Sequence, residues 1–206
     1  MTLDLNRILD EVLIPHEGLL TNGYRDTAKN KDGTPKGLFT CGVGHMVPTA
    51  DACALLPWLR ADGSQATPDE ARACYRAVMS MAPGLRASAY APASPLRLTV
   101  DWCRADAIGR LQVEFLPGLR RLFPGFDGYP PSPQVALVDE IYNMGEGGPP
   151  RPGHPDGNGL FMFDDLRAAC EAGNWEVAAS ESHVRTSSDE RNAWRARMFK
   201  AGASGA

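Results

Sequence analysis

Residues 14–45 read IPHEGLLTNGYRDTAKNKDGTPKGLFTCGVGH. This is the most informative stretch of the chain. It brings two acids (Glu17 and Asp26), a threonine (Thr40) and the run Gly42-Val43-Gly44-His45 into one short span. Just before it, Leu5, Ile8, Leu9, Val12 and Leu13 recur three and four residues apart, the spacing of an amphipathic helix. Pro15 has no amide hydrogen to donate and biases its predecessor away from helix, so it is predicted to end or kink that helix. Glu17 then falls at or just past the helix end. Beyond it, Gly23, Gly33, Gly37, Gly42 and Gly44 are interleaved with Tyr24, Leu38, Phe39 and Val43. That pattern predicts a small antiparallel sheet with one long polar turn, AKNKDGTPKG.

The residue types in this span suit the cleavage of a glycosidic bond. Such a reaction needs a carboxylic acid still protonated near neutral pH and a second polar group to hold or activate water. Burial against apolar surface raises a carboxyl pKa, whereas a carboxyl in a wetter loop stays ionised. Glu17, at the junction of an apolar helix and a hairpin, is expected to have the first environment, and Asp26 the second. The Thr40 hydroxyl can both donate to and accept from a water. Taken singly, each has an ordinary reading: a solvated helix-end glutamate, a turn-capping aspartate, a strand threonine. The order of all three followed by Gly-Val-Gly-His is what favours chemistry.

The rest of the chain reads as mostly helical. Thr67-Pro68-Asp69-Glu70 is a capping box with proline at the first helical position, predicting a helix from 68 to about 81. A longer helix is predicted from about 100 through Trp102, Ile108, Leu111 and Phe115, interrupted at Pro117, to Leu122. The stretch PGFDGYPPSP breaks the chain. QVALVDEIYNMG is then an apolar-periodic helix with Gly145 suited to its C-terminal cap. A second Gly/Pro-rich loop, EGGPPRPGHPDGNG, precedes helices at about 160–172, 174–184 and 188–200.

The 206 residues are 43% hydrophobic and 22% charged, enough for one globular domain or two lobes sharing a long helix. A net charge of −4 gives no global basic field for nucleic acid. No apolar run is long enough to span a membrane. The N-terminus, MTLDLNRILDEVL, has acids where an export signal carries Lys or Arg. It predicts a protein made in the cytoplasm without a recognisable signal peptide. Cys41, Cys53, Cys74, Cys103 and Cys170 are scattered singly with no CxxC, which favours reduced, buried thiols and gives no metal-ligand spacing.

Glu17-Gly18, Tyr24-Arg25-Asp26 and Gly37-Leu38-Phe39-Thr40-Cys41-Gly42-Val43-Gly44-His45 together resemble the signature of the phage-type, T-even-like lysozymes (glycoside hydrolase family 24). More weakly, DEIYNMGEGG, LRAACEAGNWEVAA and the position of Arg191 resemble the later helices of that family. The resemblance implies an α+β, mostly α, lysozyme-like fold. A small N-terminal antiparallel lobe and a larger helical lobe would flank an active-site cleft. It implies one domain over 1–206, with a catalytic hairpin lobe at about 14–50, an enlarged insertion at about 48–97 and a helical lobe at about 98–202. It further implies a muramidase that hydrolyses the β-1,4 bond between N-acetylmuramic acid and N-acetylglucosamine of peptidoglycan with inversion and without a cofactor or metal. Glu17 would be the general acid, Asp26 would position or activate water, and Thr40 would hold that water. Met46, Tyr142 and Asn143 would contact glycan. Arg191 would lie near Glu17, and His45 would bridge hairpin to helix; His16 reads as solvent-facing.

The chain also departs from that pattern. Pro15 stands where the family's helix continues. About eight residues, KNKDGTPK or nearby, are inserted between Asp26 and Thr40. The lysines there, Lys29, Lys31 and Lys36, suit anionic peptide stems and a solvated loop equally. The interval from His45 to the long helix is enlarged. The pI of about 5.6 is acidic for an enzyme of an anionic wall, with local basicity from Arg185, Arg191, Arg195, Arg197 and Lys200. The expected role is an endolysin or an antibacterial effector, monomeric, acting on the cell wall or in the periplasm; an effector implies a cognate immunity protein. The alternative is a catalytically silent wall-binding module of a phage tail or secreted toxin.

Overall fold

The structure is a computed structural model that describes residues 3–28, 33–152 and 156–203. Its architecture is α+β and mostly helical, with one small antiparallel sheet. Two compact units are present: one comprises 9–107, the other 1–8 together with 108–206. The division falls inside the long helix rather than near residue 98. The 48–97 segment belongs to the same unit as the hairpin.

The N-terminal helix does not stop at Pro15. It runs as α1 (Leu5–Ile8), a π-helical turn (Leu9–Leu13) and α2 (Ile14–Glu17). The long helix does the same at Pro117: α5 (Val100–Arg110), a π-helical turn (Leu111–Phe115) and α6 (Leu116–Leu122). A proline inside a helix lacks one amide and crowds the carbonyl four residues earlier. A wider i→i+5 turn immediately before it relieves that crowding, so neither proline ends its helix.

In the unit 9–107, β1 (Leu20–Arg25), β2 (Phe39–Gly42) and β3 (His45–Met46) form an antiparallel sheet in the order β1-β2-β3. Tyr24 pairs with Thr40, Arg25 with Phe39, Thr40 with Met46 and Cys41 with His45. A bulge interrupts β1 between Leu20 and Tyr24. The Gly23 amide there donates to the Ser94 hydroxyl (2.9 Å), and the Thr21 carbonyl accepts from the Leu98 amide (2.7 Å). Gly23 is forced by packing, since a Cβ at this position would lie 2.2 Å from Phe39 Cζ.

Two helices pack beside the sheet. α3 (Ala50–Ala54) is capped by Thr49, whose hydroxyl accepts from the Ala52 amide, and the sequence reading did not anticipate it. α4 (Pro68–Ser80) has both arms of the predicted capping box. Their shared core contains Phe39, Cys41, Val47, Cys53, Trp58, Cys74, Val78, Tyr90, Leu96, Leu98 and Cys103. All five cysteines are buried and free.

In the other unit, α7 (Pro131–Met144) is buried along most of its length. It begins three residues earlier than the periodicity suggests, because Pro131 and Pro133 fall in the first turn, where no amide partner is required. Gly145 closes it at φ 74°, as predicted. α8 (Asp164–Glu171), α9 (Trp175–Glu181) and α10 (Asp189–Ala203) complete this unit.

Candidate active site

Glu17 is the last residue of α2. The Gly18 amide closes the helix on the Ile14 carbonyl (2.9 Å), and Gly18, at φ 78°, turns the chain into β1. The partly buried Glu17 faces the turn that joins β2 to β3. A Cβ built on Gly44 would stand 3.3 Å from Glu17 Oε2 and 3.7 Å from Glu17 Cβ. The second glycine of the Gly-Val-Gly-His run therefore gives the carboxylate its room. His45, next along, bonds through Nδ1 to Asp106 Oδ2 of α5 (2.9 Å), and its ring stacks near Trp102 at 6.2 Å between centroids. The turn beside Glu17 is thus pinned to a helix, which is a structural use of the histidine.

Gly44→Ala tests this packing. Its φ of +59° lies in the left-handed region, where a Cβ costs about 1–2 kcal/mol. The methyl also crowds the Glu17 carboxylate. Urea unfolding should show a loss of that size; an unchanged midpoint would mean that the turn relaxes freely.

Asp26 and Thr40 are set by the β1–β2 ladder. One rung beyond Arg25–Phe39, the Asp26 amide donates to the Leu38 carbonyl (2.9 Å) and the Leu38 amide donates to Asp26 Oδ1 (3.1 Å). The carboxylate itself thus completes the pair. Strand side chains alternate between faces. By register Tyr24, Asp26, Leu38, Thr40 and Met46 share one face, and Phe39 and Cys41 enter the core. Thr40 is only 5% exposed and its hydroxyl donates to the Leu38 carbonyl (3.2 Å), whereas Met46 is exposed.

The environment of Asp26 corrects the sequence reading. It is partly buried, and burial pushes its pKa above the ordinary aspartate range. The amides of Leu38, Ala28 and Gly37 and the charge of Lys36 oppose that shift without cancelling it. At the base of the turn the Lys36 amide donates to the Ala28 carbonyl (2.7 Å). Lys29 and Lys31, candidates for contact with anionic stems, lie outside the described residues.

Glu17, Asp26, Thr40, His45 and Met46 all belong to the unit 9–107; Tyr142, Asn143 and Arg191 belong to the other. Tyr142 is buried against Phe115 and receives a hydrogen bond from Arg110 (2.6 Å) on its hydroxyl. Asn143 is exposed and accepts from the Ser187 hydroxyl (3.0 Å). Arg191 forms a two-pronged pair with the fully buried Asp139 (3.0 and 2.8 Å), which Arg195 also contacts at 2.6 Å. The pairing of Asp139 with Arg191 and Arg195 was missed from sequence. The available signal was the four-residue spacing of Arg191 and Arg195, which places both on one helix face opposite a lone acid pair in an apolar helix.

Among the described residues, no group of three or more His, Cys, Asp or Glu is placed to hold a metal ion. No helix among them is long and apolar enough to cross a membrane. No protein-family model matches the chain, and no curated protein matches it.

Proposed function

We propose that the protein is a peptidoglycan hydrolase, a muramidase that cleaves the β-1,4 bond between N-acetylmuramic acid and N-acetylglucosamine in a single inverting displacement. The observation that carries this reading is the arrangement in one unit of Glu17 against the Gly44 turn with Asp26 and Thr40 on a shared face of the adjoining hairpin. The resemblance of residues 14–45 to the phage-type lysozymes supplies the substrate class.

The proposed chemistry uses each group once. Glu17 donates its proton to the leaving glycosidic oxygen. The hydroxyl proton of Thr40 is committed to the Leu38 carbonyl, so its oxygen is left to accept a hydrogen bond from water. Ionised Asp26 accepts the other proton of that water, whose oxygen attacks the anomeric carbon from the opposite sugar face. A raised pKa makes Asp26 a stronger base than an ordinary aspartate, which favours its taking the proton. An endolysin and an antibacterial effector would use this same chemistry and differ in how they reach the wall.

The test is product analysis on purified sacculi. Reducing muramic acid ends, released initially as the α-anomer, support the reading. Anhydro-muramic ends would replace it with transglycosylation. Retention on sacculi with no released ends would favour the silent wall-binding module.

A further inference from the structure

The sheet that carries Asp26 and Thr40 is gripped by the 48–97 segment and the few residues after it, and the grip runs along β1 at every second residue. The Thr21 carbonyl accepts from the Leu98 amide, and the Gly23 amide donates to Ser94. Arg25 then sends its guanidinium to the C-terminal end of α4: Nη1 donates to the carbonyls of Met79 (3.2 Å) and Met81 (2.6 Å), while Nε donates to the Gly37 carbonyl (2.8 Å). The last carbonyls of a helix lack intrahelical partners and carry the negative end of its dipole, so an arginine is their natural complement.

The opposite half of the same rung is held by the same helix. Phe39, the ladder partner of Arg25, stacks on Tyr75 of α4 (4.8 Å, 25°), and the Tyr75 hydroxyl donates to the Pro48 carbonyl (3.0 Å). Gly37 is hemmed in by Pro83 and the guanidinium: its φ is +60°, and a Cβ there would lie 2.6 Å from Pro83 Cβ and 2.8 Å from Arg25 Nε and Nη2. The rung that α4 clamps is adjacent in the chain to the rung of Asp26 and Leu38.

We propose that Arg25 is a positioning residue, and that the enlarged segment between the sheet and the long helix is a brace that acts through it to hold Asp26 against Leu38. Asp26 is set by a helix end to which Arg25, not Asp26, is bonded. This assignment rests on the muramidase reading for its catalytic consequence, but its structural core can be measured without activity.

The experiment compares wild type with Arg25→Lys, which keeps the charge and loses the fork, and with Gly37→Ala, which crowds Pro83 and the guanidinium without changing any charge. In wild type, the Leu38 amide and the amides of α4 should exchange hydrogen with one common opening free energy. In both variants Leu38 exchange should accelerate. The Asp26 carboxyl, followed by carbon-13 NMR, should titrate closer to an ordinary aspartate. With an active wild type, kcat should fall about 10- to 100-fold while KM stays within about twofold. Independent opening of Leu38 and α4 in wild type, or an unmoved Asp26 titration in a folded variant, would overturn the proposal. A wild type that releases no reducing ends would remove the muramidase reading and leave the brace to be judged on exchange and titration alone.

Discussion

Glu17→Gln will reduce the release of reducing ends from sacculi by about 10²- to 10⁴-fold, the largest loss of activity anticipated from any single substitution here. The amide matches the carboxyl in size, so the contact with the Gly44 turn is kept, and the helix end is closed by the Gly18 amide regardless. What disappears is the proton for the leaving oxygen. Asp26→Asn removes the other half of the chemistry while its amide oxygen can still accept from the Leu38 amide. The two variants separate by pH. The Asp26 pKa is raised by burial, and its proposed role requires the ionised form, so activity should fall on the acid side at a pH above the ordinary aspartate range. Asp26→Asn should abolish that acid limb together with most of the rate. Wild-type turnover by Glu17→Gln would exclude its role as acid; an acid limb unchanged in Asp26→Asn would exclude Asp26 as its source.

Features governed by local rules were legible in the sequence. The capping box at Thr67 and Glu70 is complete in both directions, and Gly145 closes α7 at positive φ, because these depend on residues within a turn of one another. The Gly-Val-Gly-His run was legible as a motif, and its physical content emerged with the fold: Gly44 gives space to Glu17, and His45 ties the turn to Asp106. The illegible parts depend on distant partners. Local rules predict an end or kink at Pro15 and an interruption at Pro117; both helices continue, each through a π-helical turn before its proline. The burial of Asp26 is not visible in the residues beside it. Arg25 reads as an ordinary strand residue until a helix end 54 and 56 positions away is brought to it. Glu140 was hidden by its neighbours. In QVALVDEIYNMG the apolar periodicity is strong enough to absorb two acids, and nothing in the run distinguishes an acid that is paired from one that is not.

Glu140 makes the second large prediction, on stability. It is fully buried on α7, and neither carboxyl oxygen has a hydrogen-bond partner among the described residues. Burial pushes its pKa up to about 8; the Arg195 charge on α10 pulls it down and the Asp139 charge on α7 pushes it further up. Burial pushes the Cys170 thiol on α8 up to about 12, and the Glu140 charge adds to that shift. With Asp139 bonded to both Arg191 and Arg195, the Arg195 charge beside Glu140 is already engaged by another carboxylate. At neutral pH Glu140 therefore keeps its proton in the folded protein and loses it in the unfolded chain, whose glutamates titrate near 4.5. The folded pKa is the higher of the two. This contribution to stability is thus fully present below about 4.5 and is lost as pH rises to about 8, at about 1.4 kcal/mol per pH unit. Glu140→Met fills a similar volume with no proton to lose. At pH 8 it should be more stable than wild type by a few kcal/mol, with the advantage shrinking steadily toward pH 5. Urea unfolding of both proteins at several pH values measures this directly. Parallel curves across that range would mean that Glu140 is ionised inside the fold, stabilised there by the Arg195 charge, and that the helical unit holds a buried anion rather than a buried acid.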